Sequence, residues 1–277
     1  MGLRINTNTA SIAAQKTLMQ TQRGLDKSFS QLSSGSRITK AADDAAGLSI
    51  SERLKSQIRG YRQAQRNAMD GMSMVQVAEG GLNEISNIMT RLRELGTQAA
   101  SDTVGEMERS FIDKEVQQLK QEAQRISETT KFGSTRLLDG SSATLDFQVD
   151  INNNDFQDRI SFNASEQVAT IAELGIDGFD FTTKSGAQSA LESLDNAQTS
   201  VNGMRANLGA IQNRLILTQD NLGVQIENLS AANSRVRDTD FAESTADMAR
   251  NQILLNASTG VLAQANQTPS QALRLLA

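Results

Sequence analysis

The most regular hydrophobic pattern of the chain lies between residues 190 and 222. Its positions recur at alternating spacings of four and three residues, and they are Ala190, Leu194, Ala197, Val201, Met204, Leu208, Ile211, Leu215, Thr218 and Leu222. Because an α-helix has about 3.6 residues per turn, positions three and four apart line one face. The pattern predicts a long helix that packs one stripe against partner helices.

A second long helix is predicted from Asp43 to about Ser101. Its first stripe contains Leu54, Ile58, Tyr61, Ala68, Met72 and Val75, with Gln65 at one of the stripe positions. The spacing of the apolar residues changes after Glu79, and the stripe resumes at Leu82, Ile85, Met89, Leu92 and Leu95. We therefore expect a packed helix with a local change of winding after Glu79.

Residues 102–105, with the sequence DTVG, interrupt this helix. A further helix is predicted to begin near Glu106, and its stripe is Phe111, Ile112, Val116, Leu119, Ala123 and Ile126. A connection this short makes the two helices antiparallel neighbours.

Residues 131–184 have a different periodicity. Leu145, Phe147, Val149 and Ile151 alternate with the polar Asp146, Gln148 and Asp150, which is the period of a β-strand. Residues 152–155, with the sequence NNND, predict a turn, and Phe156, Ile160 and Phe162 follow it. Five of the nine phenylalanines, Phe147, Phe156, Phe162, Phe179 and Phe181, lie between residues 145 and 181, as expected for strands. This region therefore predicts a β-hairpin.

The two ends of the chain carry weaker patterns. In residues 1–35 the apolar positions are sparse, namely Ile5, Ile12, Leu18, Leu25, Phe29 and Leu32. They predict a weakly amphipathic helix that Gly35 ends in the left-handed conformation. In residues 234–277 a further helix, with Met248 and Ile253 among its apolar residues, is predicted to end at Pro269. An apolar chain end indicates burial in a partner. We call its candidate partner-binding residues the apolar tail: Leu254, Leu255, Val261, Leu262, Leu273, Leu275 and Leu276.

The patterns together predict a mainly α fold: a long antiparallel helical bundle or coiled coil, with the terminal helices paired and a small central β-hairpin region. The expected segments are residues 1–42, 43–130, 131–184, 185–233 and 234–277. The low aromatic content, 4% with no Trp, favours such bundles over a compact globule.

Composition excludes several classes of function. The chain has no His and no Cys, so the commonest general base, the commonest metal ligand and any disulfide are missing. No pattern calls for a cofactor or a metal, and no catalytic residues are assigned. The net charge of −5 has interspersed signs, which gives no reason to expect nucleic acid binding or membrane insertion. Residues 1–8 lack the layout of a cleaved signal peptide, so we expect a cytoplasmic protein or export by a route that leaves the address uncleaved.

Some polar groups allow a chemical and a structural interpretation. The adjacent Asp43 and Asp44 could form an acid pair, but carboxylates also favour the positive end of a helix dipole. Likewise Asp238 and Asp240 could hold a metal, or cap a helix that begins near Phe241. We expect the helix-terminal interpretation at both places.

Several short motifs of the chain resemble those of bacterial flagellins, in the order and at the ends where that family has them. They are residues 5–8 (INTN), 32–38 (LSSGSRI), 41–48 (AADDAAGL), 65–73 (QRNAMDGMS) and 261–267 (VLAQANQ), the last followed by Pro269. The combination is highly specific, and the similar regions cover roughly residues 1–140 and 185–277. The chain departs from the family at Ser270, at an end without a terminal Arg or Gly, and in a middle that has room only for the hairpin region.

This resemblance implies a structural subunit that polymerises into the extracellular flagellar filament and is secreted through the flagellar type III apparatus. Residues 1–42 and 234–277 would form the inner tube of the filament, and residues 43–130 and 185–233, with the hairpin region, its outer wall. The apolar tail would be the polymerisation tail. Implied partners are further copies of the chain, the hook-associated junction and cap proteins, and a secretion chaperone at the C-terminal region.

The resemblance also implies a candidate site for the vertebrate innate immune receptor for flagellin. Residues 91–95, with the sequence RLREL, resemble the receptor-contacting helix of recognised flagellins, and Glu115 falls at the matching place on the next helix. The candidate residues are therefore Arg91, Leu95 and Glu115. The competing interpretation is an Arg91–Glu115 salt bridge, with Leu95 in the apolar stripe.

Two other classes of protein would have the same helical pattern. A hook–filament junction protein has the same terminal helices but is not the bulk subunit, and abundant self-polymerisation would separate the two. A cytoplasmic coiled-coil scaffold would leave the apolar chain end and the motifs unexplained.

Overall fold

The computed structural model describes residues 7–274, with side chains described as far as Gln267. Its helices are α1 (Thr9–Ser34), α2 (Ala45–Ala99), α3 (Glu106–Thr129), α4 (Lys184–Arg237) and α5 (Phe241–Arg274). Its strands are β1 (Lys131–Phe132), β2 (Thr135–Arg136), β3 (Thr144–Gln148) and β4 (Arg159–Asn163). The prediction of a mainly α fold with a small central β-hairpin region is confirmed.

The chain divides into two compact units. The terminal unit comprises Met1–Ser56 and Asn228–Ala277, and the central unit comprises Gln57–Glu227. The finer division into five segments stays a prediction.

The stripe of α2 runs through the core of the central unit without a slip. Its buried positions keep spacings of three and four residues, at Ala68, Gly71, Val75, Ala78, Leu82, Ile85, Met89 and Leu92. The expected change of winding after Glu79 is therefore wrong. Ala78, with no exposed surface, fills the position between Val75 and Leu82. The sequence stripe had followed Met72 in place of Gly71 and had passed over Ala78, so it lost the spacing that the buried positions keep.

The stripes of α3 and α4 follow the sequence pattern, with one exception. On α4 the buried positions are Ala187, Ala190, Leu194, Ala197, Val201, Leu208, Leu215 and Leu222. On α3, Ile112, Val116 and Ala123 are buried, but Phe111 is 60% exposed. Successive helix residues point about 100° apart, so Phe111 and Ile112 cannot both face the core. Ile112 has the spacing that matches Val116, and Phe111 lies instead beside Lys114, whose Nζ is 5.5 Å from the ring centre.

The β-hairpin forms between β3 and β4, which pair antiparallel from Thr144 opposite Asn163 to Gln148 opposite Arg159. It packs on α2, where an added Cβ at Gly71 would lie 3.0 Å from the ring of Phe147. A smaller hairpin, β1–β2, precedes it. Phe179 and Phe181 are not in strands; their rings stack 6.2 Å apart in a loop. Phe156 lies in the turn and is 91% exposed.

Residues 171–181 are held against α3 by a set of side chains that we call the α3 ladder. Asp113, Gln117, Lys120 and Gln124 follow one another at spacings of four, three and four, so they share a helix face. Two of the four accept from backbone amides: Asp113 Oδ1 from that of Phe181 (3.1 Å) and Gln124 Oε1 from that of Ile171 (3.1 Å). The other two donate to backbone carbonyls: Gln117 Nε2 to that of Phe179 (3.2 Å) and Lys120 Nζ to that of Asp177. These bonds satisfy backbone groups that a β-sheet would otherwise pair.

Of the four aspartates expected at helix ends, Asp44 and Asp240 cap helices, whereas Asp43 accepts hydrogen bonds from Thr39 and Lys40 in the linker and Asp238 forms a bridge with Ser36. Asp44 Oδ1 accepts a hydrogen bond from the amide of Gly47 (2.8 Å) at the start of α2. Asp240 Oδ1 accepts from the amides of Ala242 (2.8 Å) and Glu243 (3.2 Å) at the start of α5. At the end of α1, Gly35 has φ 68°, as its predicted left-handed cap requires.

The predicted end of the last helix at Pro269 is wrong, because α5 continues to Arg274. Proline has no amide hydrogen, so the carbonyl four residues earlier, that of Ala265, loses its helical partner. That carbonyl accepts a hydrogen bond from Asn8 Nδ2 instead, at 2.8 Å. A second chain segment thus satisfies the group that proline leaves without a helical donor.

Candidate assembly surfaces

The terminal unit is built on an antiparallel pair, α1 and α5. Each helix contributes a row of buried or half-buried positions at spacings of three and four residues. The row of α1 is Ser11, Ala14, Leu18, Thr21, Leu25, Ser28 and Leu32, and the row of α5 is Ser244, Met248, Asn251, Leu255, Ser258, Leu262 and Ala265. The expected pairing of the terminal helices is therefore present.

Small and polar side chains make much of this seam. Ser11, Thr21, Ser28 and Ser244 are each buried. Ser11 Oγ donates to Asn266 Oδ1 at 2.9 Å. Gly24 lies so close to α5 that an added Cβ would be 3.1 Å from the side chain of Asn251. The helices therefore approach closely at Gly24, and polar contacts accompany the apolar positions of the seam.

Several large apolar side chains of the pair point away from the seam. Ile12, Met19, Phe29, Ile253, Leu254 and Val261 are exposed, from 47% for Leu254 to 68% for Ile253. Leaving such side chains in water costs free energy, since burying one contributes roughly 1.5–3 kcal/mol. Contiguous apolar patches of this kind mark interaction sites.

Two shallow grooves follow the pair on this apolar surface. The first has a volume of about 400 Å³ and is lined by Leu25, Asp26, Phe29, Met248, Ala249 and Gln252. The second, of about 520 Å³, is lined by Leu18, Met19, Gln22, Arg23, Leu255 and Thr259.

The apolar tail divides between the seam and the surface. Leu255 and Leu262 are half-buried in the seam, whereas Leu254 and Val261 are exposed. The side chain of Leu273 and the whole of Leu275 and Leu276 lie outside the described residues.

The linkers beside the pair are joined to each other. Ser36 and Asp238 form an antiparallel bridge, and the amide of Arg37 donates to the carbonyl of Arg237 at 2.7 Å. Arg237 also forms an ion pair with Glu52 of α2, at 2.5 Å. In the first linker, Asp43 Oδ2 accepts from the amides of Thr39 and Lys40 and from the Thr39 hydroxyl, at 2.9 to 3.2 Å. These bonds, with Lys27 Nζ 3.7 Å from Asp43 Oδ1, lower the pKa of Asp43.

The three candidate receptor residues occupy two environments in the central unit. Arg91 Nη2 lies 2.8 Å from Glu115 Oε1, so these side chains form an ion pair across α2 and α3, and both are about half exposed. Arg91 Nη1 also contacts Glu94 Oε2 at 3.0 Å. Leu95 is 3% exposed and belongs to the core. The surface at this place therefore consists of charged groups, with Leu95 beneath them.

Sequence reasoning missed the seam serines and threonine, although a signal was present. The alternation of three and four residues from Ser11 to Leu32 is complete once small polar residues are counted as packing positions. The apolar positions of residues 1–35 include only Leu18, Leu25 and Leu32 of that row.

Among residues 7–274, no helix is both long and apolar enough to cross a membrane.

Comparison with known protein families gives two matches that together cover most of the chain. The family model for the bacterial flagellin N-terminal helical region matches residues 5–143, and the model for the bacterial flagellin C-terminal helical region matches residues 191–276. The chain is 40% identical to the flagellin of Halalkalibacterium halodurans over 272 residues, covering 98% of this chain and 99% of the relative. It is 39% identical over 287 residues, with the same coverage, to the flagellar filament core protein flaB2 of Brachyspira hyodysenteriae.

Solved structures are similar as well. The crystal structure of Bacillus cereus flagellin aligns with a TM-score of 0.51 at 29% identity, covering 61% of this chain and 94% of that one. A Vibrio parahaemolyticus protein assigned to the flagellar hook-associated class aligns with a TM-score of 0.58 at 13% identity, covering 71% of this chain and 100% of that one. The second likeness concerns the fold alone.

Proposed function

The chain belongs to the bacterial flagellins, the structural subunits of the extracellular flagellar filament, and from this membership we propose that α1 and α5 carry its polymerisation contacts. One observation supports the proposal above the others. Large apolar side chains of both helices, Ile12, Met19, Phe29, Ile253, Leu254 and Val261, point outward although the pair has its own seam. A monomer leaves this surface in water, and neighbouring copies would cover it.

The kind of assembly follows from the arrangement. An open helical polymer needs head-to-tail contacts, in which two different surfaces of one subunit meet. The apolar surface of α1, with Ile12, Met19 and Phe29, differs from that of α5, with Ile253, Leu254 and Val261. Two unlike apolar surfaces on one antiparallel pair are suited to such contacts. The apolar tail contributes Leu254 and Val261 directly, and Leu255 and Leu262 through the seam.

The test introduces a charge on the outward surface of α5. Val261→Asp places a carboxylate where the proposal puts a subunit contact, and burying an unpaired charge is strongly unfavourable. We expect the critical concentration for seeded polymerisation to rise at least tenfold. The matched control, Asn256→Asp, adds the same charge at an exposed position of the same helix without removing an apolar side chain. Normal filaments from Val261→Asp would overturn the proposal.

The same apolar surface would contact the other partners one after another. Before export it would be covered by a secretion chaperone, because unprotected apolar patches lead to aggregation. The export route would be the flagellar type III apparatus. At the ends of the filament the surface would meet the hook-associated junction and cap proteins.

Self-polymerisation also distinguishes the filament subunit from a junction protein. The fold is common to both classes, as the Vibrio parahaemolyticus likeness illustrates. Identity favours the filament, since the relatives at 39–40% identity are a flagellin and a filament core protein. Long filaments grown from the purified chain alone would support this assignment, whereas short rings or no polymer would favour the junction class.

A proposed immune contact involves Arg91 and Glu115, with Leu95 supporting them from the core. Both charged side chains are accessible in the monomer and held in one geometry by their ion pair. An arginine that a partner buries can be a binding hot spot.

The test is a receptor reporter assay on monomeric protein. We expect Arg91→Ala to lower the signal roughly tenfold or more, as loss of a hot spot does. Arg93→Ala is the matched control, because Arg93 is similarly exposed on α2 and pairs with Asp195 instead. Equal signals from both variants would contradict the proposal, and thermal melts would reveal any loss by unfolding.

A further inference from the structure

The side chain of Asn8 holds both helices of the terminal pair. Its Oδ1 accepts a hydrogen bond from the amide of Ser11 at 3.1 Å, which caps the N-terminus of α1. Its Nδ2 donates to the carbonyl of Ala265 in α5 at 2.8 Å. The two residues are 257 positions apart in sequence, so this single amide connects the two ends of the chain.

The carbonyl that Asn8 reaches is the one that Pro269 leaves without a helical donor. In an uninterrupted helix the amide of residue 269 would donate to it, and proline has no such hydrogen. A carbonyl that is removed from water without a partner destabilises the folded state. Next to it, Ser11 Oγ donates to Asn266 Oδ1, so a second bond fixes the same register.

We propose that Asn8 is a positioning residue for polymerisation, which holds α5 in helical form past Pro269 only when α1 has begun. The first turn of α1 and the last turns of α5 thus become ordered together. The proposal rests on the proposed role of α1 and α5 in subunit contacts. A subunit with one of these ends unfolded would present an incomplete contact surface.

The chemistry explains why an amide is required at this position. Asp, Ser and Asn cap helices about equally well, because capping needs only an acceptor oxygen. Only an amide combines an acceptor oxygen with a separate NH₂ donor. Asp has no donor when it is ionised, and Ser is too short to cap α1 and reach Ala265 together.

The experiment is a double-mutant cycle read out as the critical concentration for seeded polymerisation. Asn8→Asp keeps the cap and loses the donor, and we expect it to raise the critical concentration about fivefold or more, the size of effect that the loss of one hydrogen bond produces. Asn8→Ser should do the same without adding a charge. In the Pro269→Ala background the amide of residue 269 donates to Ala265, so both effects should fall to about twofold or less.

Each outcome decides the proposal. Equal losses in both backgrounds would mean that the effect does not depend on the carbonyl that Pro269 leaves open and would overturn the proposal, as would the absence of any loss in the background that keeps Pro269. Val261→Asp is measured beside these variants. If Val261→Asp polymerises normally, the proposed role of the terminal helices fails; if it is defective and Asn8→Asp and Asn8→Ser are not, the inference about Asn8 alone fails.

Discussion

Leu208 and Leu217 lie on the same helix, α4, in opposite environments. Leu208 has no exposed surface, whereas Leu217 is 68% exposed. The stripe of the sequence analysis contained Leu208 and left out Leu217, so spacing alone separated the two. The stripe of α3 was wrong at Phe111 because it kept two adjacent residues, although only Ile112 has the spacing of four residues to Val116.

The leucine pair gives a stability prediction with a built-in control. Leu208→Ala should lower the free energy of unfolding by roughly 2–5 kcal/mol, since it removes buried methyl groups and leaves a cavity. Leu217→Ala should change it by no more than about 0.5 kcal/mol, as is usual for surface positions. Denaturant unfolding of the monomer, followed by circular dichroism, measures both. Equal effects would contradict the assigned register of α4.

Asp43 gives a prediction about acid. The backbone amide of Lys40, then the hydroxyl and amide of Thr39, hold the pKa of this carboxyl below its ordinary value of 3.8, and Lys27 adds to the effect. A carboxyl whose pKa is lower in the folded state stabilises that state above its ordinary pKa. The stabilisation is lost as pH falls through the folded pKa.

We therefore expect the melting temperature of Asp43→Asn to lie below that of the wild type at neutral pH, and the difference to shrink below about pH 4. Thermal melts at neutral pH and at successively lower pH, in one buffer series, measure it. A difference that stays constant to the lowest pH would show that the charge of Asp43 is not responsible.

Among the elements, helices were more predictable than the segments between them. The bounds of α2 and α3 fall within a few residues of those expected, because their periodic stripes extend over many turns. The strand assignment for Phe179 and Phe181 failed because their backbone is bonded by the α3 ladder. The periodicity of such bonds lies on α3 and leaves no trace in the sequence of residues 171–181. The end of the last helix was misplaced for a similar reason: Asn8, at the other end of the chain, bonds the carbonyl that Pro269 leaves open.

The α3 ladder predicts local exchange behaviour. Gln124→Leu removes the acceptor for the amide of Ile171, and that amide should exchange with solvent roughly tenfold faster or more, as expected for the loss of a hydrogen bond of about 1–3 kcal/mol. Gln121→Leu is the control, because Gln121 is exposed on the same helix and outside the ladder. Hydrogen exchange resolved to residues 167–175 measures the effect. Similar exchange in both variants would mean that the ladder does not hold this segment.

At the scale of the whole molecule, the two units differ in how their apolar residues are used. The central unit buries its apolar stripes in one continuous core, while the terminal unit leaves several of its large apolar side chains exposed. The sequence predicted the paired ends and the apolar tail. It did not predict the polar seam, because serine and threonine are also the usual residues of solvent-facing helix surfaces.

This division predicts the effect of a truncation. A chain without residues 255–277 should retain the thermal melting of the central unit, since that unit comprises Gln57–Glu227. It should not polymerise, because it lacks Val261, Leu262 and the rest of the apolar tail after Leu254. Circular dichroism and seeded sedimentation assays, with the full chain in parallel, measure the two properties. Filaments from the truncated chain would contradict the predicted loss of polymerisation. Loss of the melting transition of the central unit would contradict the predicted independence of that unit.

The polar seam of the terminal pair also bears on how a filament bends. A hydrogen bond forms only within a narrow range of distance and angle, whereas apolar contact changes little when two surfaces slide by a small amount. The α1–α5 seam therefore fixes the register inside each subunit, while the outward apolar side chains leave the register between subunits adjustable. A curved, rotating rod is alternately stretched and compressed on each side. We expect sliding between subunits to absorb that strain, with each helix pair moving as a rigid element.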